Sequence, residues 1–385
     1  MNLIDVCDFQ GGSQPPKDKW ITQYKDGYIR MLQIRDFTQK RDERDYVEVS
    51  NRIKICKKDD VLIARYGASV GKILTGLEGA YNVAIIKSIP SKLIDKRYLY
   101  YYFNSSYFQN FLKNVGSRAA QAGFNKEDLR EAKIFVPKIE HQRNIVSILN
   151  KSKNLIERRK NQIEQLDLLV KSKFIEMFRG DKNFDYIKIE NLVEVKSDIV
   201  DGPFGSNLKT IDYVDSGVRV IQINNIGESQ FRNGNKRYIT EEKFNSLIKH
   251  SVIPGDIVVA KMGEPIGRAC IVPNWLEKAV IVADCMKIHP DLNVINAKYL
   301  EFLLNTEEVK VQFKKYSQGS TRVRLNLTML RQIEVLYPPI ELQNQFADFV
   351  KQVDKLKFEI EQSLKELEDN FNSLMQKAFK GELFN

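Results

Sequence analysis

The sequence predicts an α+β protein that contains two similar domains and two long helices. Three observations support this fold class. Short β-rich runs alternate with turn residues, the first half of the chain recurs in the second, and two amphipathic stretches repeat apolar residues at every seventh position. With 385 residues, the chain is long enough for two or more domains with separate cores.

The internal repeat is visible as matched segments in the same order. Three matched pairs are residues 2–6 (NLIDV) with 191–195 (NLVEV), residues 60–67 (DVLIARYG) with 256–263 (DIVVAKMG), and Gln142 with Gln343. The offset between partners grows from 189 to 196 and then to 201, after which it stays constant. Because insertions accumulate in loops, each half is predicted to have a variable N-terminal part, which we call its front, and a more rigid C-terminal part.

Each front is predicted to be an α+β domain with mixed or antiparallel sheets. The predicted strands include residues 29–34, 61–64 and 83–86 in the first half and residues 218–223, 257–260 and 280–283 in the second. A helical stretch follows in each copy, over residues 96–114 and 297–315. A proline, Pro137 or Pro338, then separates the front from the long helix.

One stretch of the first half, GASVGK at residues 67–72, resembles a phosphate-binding loop. The phosphate-loop pattern needs four residues between its glycines and a hydroxyl after its lysine, whereas here three residues intervene and Ile73 follows. The matching segment of the second half, GEPIGR at residues 263–268, carries Glu264, whose carboxylate would repel phosphate. Both segments are therefore predicted to be turns between two strands, flanked by cations.

Each long helix is predicted to contribute to a coiled coil. The apolar residues that recur every seven positions are Leu149, Ile156, Ile163, Val170 and Met177 in the first helix and Phe346, Val353, Ile360, Leu367 and Leu374 in the second. Charged residues fill the other faces, which is typical of a coiled-coil seam. We expect the two helices to pair antiparallel, although packing of each helix on its own domain is the simpler alternative. Gly180 and Gly381 are candidate C-caps.

Composition and residue pattern favour a binding protein over an enzyme. The net charge of +10 favours a polyanionic partner such as nucleic acid. The four cysteines and three histidines are scattered, and no nucleophile–base pair or cofactor loop recurs in both halves. No apolar run is long enough for a membrane span, and no signal peptide is visible, so we expect a cytoplasmic location.

Polar and basic side chains at three places in each half are candidates for DNA contacts. Arg, Lys, Gln and Asn can contact base edges and phosphates, although a solvated loop or strand surface is the alternative for any single residue. The candidates are Arg30, Gln33, Arg35, Arg65, Lys72, Ser117, Arg118, Gln121, Asn125 and Lys126 in the first half, and Arg219, Gln222, Asn224, Lys261, Arg268, Ser320, Thr321, Arg322 and Arg324 in the second.

Taken together, the chain resembles the specificity subunit of type I restriction–modification systems over essentially its whole length. The resemblance rests on the order of domain, helix, domain and helix, and on local text at residues 137–143 (PKIEHQR), 339–343 (PIELQ) and 374–383 (LMQKAFKGEL). It implies target-recognition domains at residues 1–136 and 181–337, and spacer helices at residues 137–180 and 338–385.

The resemblance also implies the function and the partners. Each target-recognition domain would recognise one half of a split sequence in double-stranded DNA, and the helices would dock two modification subunits. Those partners would carry S-adenosylmethionine and methylate adenine, and restriction subunits that use ATP and Mg²⁺ join in some systems. The chain itself would have no cofactor, metal or catalytic residue. The alternative function is a coiled-coil scaffold whose end domains bind proteins and recognise no DNA sequence.

Overall fold

The computed structural model describes residues 1–39, 42–116, 123–179, 183–316 and 324–383. The chain divides into two compact units, and both boundaries fall inside a long helix. The first unit comprises Met1–Ile163 and Ile360–Asn385, and the second comprises Glu164–Glu359. Each unit therefore contains one folded front, the beginning of the helix that follows it and the end of the other long helix.

The first unit contains eight strands within its described residues, in two four-stranded sheets. The strands are β1 (Cys7–Gly11), β2 (Tyr28–Leu32), β3 (Asp45–Glu48), β4 (Ile55–Cys56), β5 (Leu62–Ala64), β6 (Ile73–Leu74), β7 (Gly79–Tyr81) and β8 (Ile85–Pro90), and the helices are α1 (Ile34–Thr38), α2 (Lys96–Asn104), α3 (Ser106–Gly116) and α4 (Ile139–Phe178). One sheet has the order β1-β8-β5-β6 and is antiparallel, and the other has the order β3-β2-β7-β4.

The second unit repeats both sheets and adds a two-stranded ribbon. Its strands are β9 (Asp185–Lys188), β10 (Ile199–Asp201), β11 (Val218–Ile221), β12 (Arg237–Ile239), β13 (Ser251–Val252), β14 (Ile257–Ala260), β15 (Ala269–Ile271), β16 (Ala279–Ile281), β17 (Cys285–Ile288) and β18 (Glu334–Tyr337), and its helices are α5 (Glu241–Ser246), α6 (Ala297–Leu304), α7 (Glu307–Tyr316), α8 (Leu327–Gln332) and α9 (Ile340–Lys380).

The order of strands confirms the internal repeat predicted from the sequence. The sheet β10-β17-β14-β15 corresponds strand by strand to β1-β8-β5-β6, and β12-β11-β16-β13 corresponds to β3-β2-β7-β4. In both copies a single parallel pair, β2 with β7 or β11 with β16, makes the second sheet mixed. The prediction of mixed and antiparallel sheets is therefore confirmed.

Several predicted bounds differ from the structure. The predicted strands at residues 29–34 and 218–223 end at Leu32 and Ile221, and the predicted helix at residues 297–315 is two helices, α6 and α7. The predicted strand at residues 83–86 begins only at Ile85, because residues 82–84 form the link between β7 and β8. The predicted helix at residues 96–114 is two helices separated at Ser105, whose extended backbone ends α2 and whose hydroxyl accepts a hydrogen bond from the backbone N–H of Phe108 at 3.3 Å. Serine favours such an N-cap over a helix interior.

In each unit the two long helices pack antiparallel against each other. In the first unit Lys160 and Glu368 form an ion pair at 2.8 Å, while Leu149, earlier in α4, shares a hydrophobic cluster with Phe379, later in α9. The second unit shows the same pattern, because Asp167 pairs with Lys357 at 2.7 Å and the later Phe178 lies 5.6 Å, between ring centroids, from the earlier Phe346. The predicted antiparallel pairing is confirmed.

A buried glutamine joins each long helix to its own front. The side-chain amide of Gln142 donates to the carbonyls of Pro137 and Leu93 at 2.8 and 2.9 Å and accepts from the backbone N–H of Asp95 at 2.8 Å. Gln343 repeats this arrangement with Pro338 and Asn296. Both amides are fully buried, so these bonds satisfy backbone groups that would otherwise be costly to bury.

Both glycine-rich segments are turns between antiparallel strands, as predicted. β5 pairs with β6 and β14 pairs with β15 around the two turns. Gly67 and Gly71 have φ of 75° and 82°, and Gly267 has φ of 75°. Residues with a side chain rarely adopt this left-handed conformation. The backbone conformation alone therefore explains why glycine occupies these positions, and no phosphate-binding role is needed.

Replacing Gly267 by alanine is expected to destabilise the second unit by about 2–4 kcal/mol. The new methyl group would overlap the ring of the fully buried Phe313, in addition to the strain of the positive φ. Urea unfolding followed by Trp275 fluorescence in a Trp20→Phe background measures this, because the only other tryptophan of the chain lies in the first unit.

Gly71→Ala is the matched control for this prediction. Its methyl group would lie 3.1 Å from the side-chain oxygen of Gln109, which can move, so about 1–2 kcal/mol is expected from backbone strain alone. This variant is followed by Trp20 in a Trp275→Phe background. Equal destabilisation by the two substitutions would show that overlap with Phe313 adds nothing to the cost of a side chain at position 267.

The described part of the chain contains neither a cluster of potential metal ligands nor a helix that could cross a membrane. The four thiols are unpaired and buried, and burial raises the pKa of Cys7 to about 12 and that of Cys56 to about 11. In residues 1–39, 42–116, 123–179, 183–316 and 324–383, no cluster of three potential metal ligands occurs. Within the same ranges, every helix is too short or too polar to cross a lipid bilayer.

Candidate nucleic-acid interface

In each unit, three of the predicted binding segments meet at one end of the strands of the two sheets. In the second unit the link of residues 282–284 joins the ends of β11 and β14, because Val282 donates its N–H to Ile221 and Lys261 donates its N–H to Asp284. The chain that emerges after residue 323 returns to the same place, where the N–H of Leu325 donates to the carbonyl of Lys261 at 2.9 Å. We call this end the strand-end surface.

The first unit has the same strand-end surface. Residues 82–84 link β7 to β8, Asn82 donates its N–H to Leu32, and Arg65 donates its N–H to Ala84 at 2.8 Å. The chain after residue 122 returns here, because Phe124 donates its N–H to the carbonyl of Arg65 at 3.3 Å. Arg65 also donates from Nε to the carbonyl of Phe124 at 3.2 Å. The side chain of Arg65 thus fixes the chain that returns from the predicted loop.

Lys261, the counterpart of Arg65, is almost fully buried at the strand-end surface. Its Nζ donates to Oδ1 of Asp201 at 2.7 Å, and its side chain is 4% exposed. A buried ion pair is costly to break, because the remaining charge loses its partner. Lys261 is therefore placed to support this surface from below, and its ammonium group is not exposed to a phosphate.

Arg268 holds the turn between β14 and β15 against the neighbouring segment. Its guanidinium donates to the carbonyls of Ile226 at 2.7 Å and Ile223 at 3.2 Å. This brings the turn together with residues 222–226, which follow β11. In the first unit the matching cation, Lys72, is exposed on the turn between β5 and β6.

Arg324 is more accessible than Arg219 and Arg268, the other described candidate arginines of the second unit. It pairs with Asp284 at 2.9 Å, where both side chains are more than 40% exposed, and donates to the carbonyl of Ala283 at 3.2 Å. An exposed ion pair contributes at most about 1 kcal/mol. A phosphate group can therefore replace Asp284 as the partner of Arg324 at little cost.

Arg30, Gln33 and Arg35 form a network with two carboxylates in the first unit. Arg30 pairs with Asp36 at 3.0 Å, while the side chains of Gln33 and Arg35 donate to Oδ2 of Asp45 at 3.1 and 3.3 Å. Arg35 is 44% exposed, whereas Arg30 is 20% exposed. Arg35 is thus better placed than Arg30 for a contact outside the chain, whereas Gln33 is partly buried, as Arg30 is.

Arg219, Gln222 and Asn224 of the second unit correspond to these three residues and range from buried to exposed. Arg219 is 5% exposed and donates to the carbonyl of Gly234 at 3.0 Å, and burial lowers its pKa below the ordinary arginine value. The backbone N–H of Gln222 donates to Oδ1 of Asn225 at 2.9 Å at the start of a short helical turn, and the side chain of Gln222 is half-buried. Asn224 is exposed on the same turn.

Asn125 and Lys126 are exposed where the first unit's predicted loop ends. The side chain of Asn125 accepts a hydrogen bond from the N–H of Asp128 at 3.0 Å, which fixes the turn. Lys126 pairs with Asp8, and its hydrogen bond lowers the pKa of that carboxyl group. The remaining candidates, Ser117, Arg118, Gln121, Ser320, Thr321 and Arg322, and the candidate C-cap Gly180, lie outside the described residues.

Sequence reasoning missed the loops that follow β1 and β10 and run beside the strand-end surface. A side chain at Gly12 would overlap the carbonyl oxygen of Asn82, and one at Gly202 would overlap that of Val282. Phe204 follows with 69% of its surface exposed. The signal that points to this loop is an aromatic residue between two glycines in GPFGSN at residues 202–207.

The chain matches the family model described as the type I restriction modification DNA specificity domain over residues 1–165 and 209–369. It is 25% identical over 334 residues to the type I restriction enzyme MjaVIII specificity subunit of Methanocaldococcus jannaschii, covering 83% of this chain and 78% of that subunit. It is 24% identical over 418 residues to the MjaIX specificity subunit of the same organism, covering 99% of this chain and 92% of that subunit.

Solved structures share the fold at low sequence identity. The S subunit of a type I restriction–modification system from M. genitalium superposes with a TM-score of 0.58 at 14% identity, covering 98% of this chain and 95% of that one. A chain from a structure that concerns the assembly and conformational transition of a type I system gives a TM-score of 0.60 at 15% identity, covering 98% of each chain.

Proposed function

The chain belongs to the family of type I restriction–modification DNA specificity subunits, and from this membership we propose that it recognises a split DNA sequence with one half-site for each of its two fronts. As a specificity subunit it is not itself an enzyme. Its task is to choose the DNA sequence on which partner subunits act. The coiled-coil scaffold without DNA recognition is not favoured, because both halves match the specificity domain.

The observation that supports two half-sites is the repeated strand order. Each unit has the same pair of four-stranded sheets and the same strand-end surface, where a turn, the link between two strands and the segment that begins at residue 123 or 324 meet. The side chains at these surfaces differ, since Arg65 is replaced by Lys261 and Lys72 by Arg268. The same scaffold with different side chains is suited to two different short sequences.

The exposed predicted residues are proposed to contact DNA, and the buried ones to position them. Among the described candidates, Arg35, Lys72, Asn125, Lys126, Asn224 and Arg324 are exposed or pair only with exposed carboxylates. Lys261 and Arg219 are buried and hold the strand-end surface in place. The net charge of +10 supports attraction to the phosphate backbone.

The long helices are proposed to dock two modification subunits and to set the spacing within the target. α4 and α9 contain 40 and 41 residues, which corresponds to about 60 Å for each helix. Their exposed surface carries polar and charged side chains together with exposed apolar ones such as Leu168 and Phe358. The cofactors S-adenosylmethionine, ATP and Mg²⁺ are proposed to belong to the partner subunits.

Loss of this gene is expected to abolish one split adenine-methylation motif in its host. Modification-aware sequencing of genomic DNA, with and without the gene and with the neighbouring methyltransferase gene intact, measures this. Restoring the gene on a plasmid should restore the same motif. Persistence of every methylation motif in the deleted strain, while the methyltransferase is active, would contradict the proposed function.

A further inference from the structure

We propose that one exposed aromatic ring in each unit, Tyr66 in the first and Phe204 in the second, contacts the bases of its half-site directly. The inference rests on the proposed function, because it names residues that would recognise the DNA. Neither ring belongs to the basic and polar set predicted from the sequence. Both lie at the strand-end surface, where the turn, the strand link and the segment that begins at residue 123 or 324 meet.

The ring of Phe204 packs on a buried cation at the surface of the second unit. The buried Nζ of Lys261 lies 6.0 Å from the centroid of the phenyl ring and is itself fixed by its ion pair with Asp201. Gly202 fixes the start of the loop, because the backbone there packs directly on Val282. The ring nevertheless remains 69% exposed. The cation therefore supports the ring while most of its surface stays available to a ligand.

Tyr66 has the same relation to the corresponding cation of the first unit. Cζ of Arg65 lies 5.0 Å from the centroid of the tyrosine ring, and Nε of Arg65 is bonded to the carbonyl of Phe124. Tyr66 forms a β-bridge with Gly123, where a side chain would collide with the tyrosine ring. The ring is 45% exposed. Tyr66 thus lies directly beside Gly123, the first described residue after the predicted DNA-contacting loop.

The recurrence of this pair is what carries the inference. A single exposed apolar side chain is common on protein surfaces and needs no function. Here the two supporting cations correspond in the repeat, but the rings come from different elements, because Phe204 follows β10 whereas Tyr66 follows the cation itself. The residue that matches Tyr66 in the second half is Met262. In both units an aromatic ring therefore lies beside the corresponding cation, although the two rings come from different positions of the repeat.

An aromatic ring at this place offers DNA an uncharged, apolar surface. Such a surface can pack on a thymine methyl group in the major groove or on the face of a base that has been unstacked. Both contacts are made with bases and not with phosphates. Removal of the ring should therefore weaken binding without changing how binding depends on salt concentration.

The test uses the complex of the full chain with its methyltransferase subunits and a fluorescent duplex that carries the motif found by genomic sequencing. Phe204→Ala is expected to weaken binding about five- to hundredfold, with the slope of log Kd against log salt unchanged. Phe204→Trp should keep binding close to the unmodified level. Lys209→Ala, which removes an exposed charge from the same loop, should instead reduce the salt slope by about one.

Leu292→Ala is the matched control for the loss of exposed apolar surface. Leu292 is 68% exposed, close to the 69% of Phe204, but it follows the opposite end of β17 from the strand-end surface. It should bind DNA as the unmodified chain does. If Phe204→Ala binds as tightly as Leu292→Ala, the proposed contact between Phe204 and a base is contradicted. The proposal that the chain recognises a split sequence is then unaffected. If the unmodified complex binds no motif, the proposed function fails as well.

Two modified duplexes distinguish the two forms of base contact. Replacement of thymine by uracil in one half-site removes the methyl group, and its effect should disappear in Phe204→Ala if the ring packs on that methyl. 2-Aminopurine in the same half-site should instead become brighter on binding, and less so in Phe204→Ala, if the ring packs on an unstacked base. Absence of both differences would exclude direct contact. Tyr66→Ala should show the corresponding dependence on the other half-site.

Discussion

Replacing residues 1–136 by the corresponding domain of another family member is expected to change one half of the methylated motif and to leave the other half intact. The physical reason is that the first unit has its own two sheets and its own hydrophobic cluster. Its strand-end surface is built entirely from residues of that unit. The motif before and after the exchange is determined by modification-aware sequencing of the host genome.

The exchange must preserve the contacts between the new domain and the helices. Tyr98 packs on Phe379 of α9 at 5.1 Å between ring centroids and donates its hydroxyl to the carbonyl of Phe135 at 2.8 Å. A donor domain with tyrosine at this position is therefore preferred. The reciprocal exchange of residues 181–337 is the control and should change only the other half. A change of both halves by either exchange would show that the two domains do not act independently.

Phe346→Ala is expected to destabilise the second unit by about 3–5 kcal/mol. Phe346 is fully buried near the start of α9, and its ring lies 5.7 Å from Phe174 and 5.6 Å from Phe178 of α4, measured between ring centroids. It also lies 5.0 Å from Phe302 of the second front. Removing the ring leaves a cavity where three elements meet. Urea unfolding followed by Trp275 in a Trp20→Phe background measures the loss.

Phe358→Ala on the same helix is the control for this substitution. Phe358 is 59% exposed, so its removal should change the free energy of unfolding by less than about 0.5 kcal/mol. Because Phe346 joins both helices to the domain, we also expect Phe346→Ala to weaken the association with the methyltransferase subunits. A loss below about 1 kcal/mol for Phe346→Ala would show that the surrounding aromatic rings close the cavity.

Much of the fold was predictable because it depends on patterns within the sequence. The heptads over Leu149–Met177 and Phe346–Leu374 predicted the two long helices, and the matched segments predicted the repeated fronts. The glycine turns followed from comparison of the two copies, since a turn tolerates the exchange of GASVGK for GEPIGR and a phosphate site does not. The break at Ser105 was missed, because a single capping serine interrupts the helical pattern too weakly.

The candidate interface was only partly predictable. The sequence identified the cations but not their partners, and the partners of Lys261 and Arg324 are distant along the chain. Lys261 pairs with Asp201, which is 60 residues away, and Arg324 pairs with Asp284. Phe204 was not identified, because hydrophobicity alone gives no reason for a phenylalanine to stay exposed.

The sequence by itself determined the family, the internal repeat and the types of element, because these depend on local periodicity and on comparison of the chain with itself. The tertiary structure decided which helix segments share a unit and which charged side chains are exposed. Both depend on contacts between residues far apart in the chain. The burial of Lys261 beside Asp201, next to the exposed ring of Phe204, is such an arrangement, since it forms only when β10 and β14 pair with the two sides of β17.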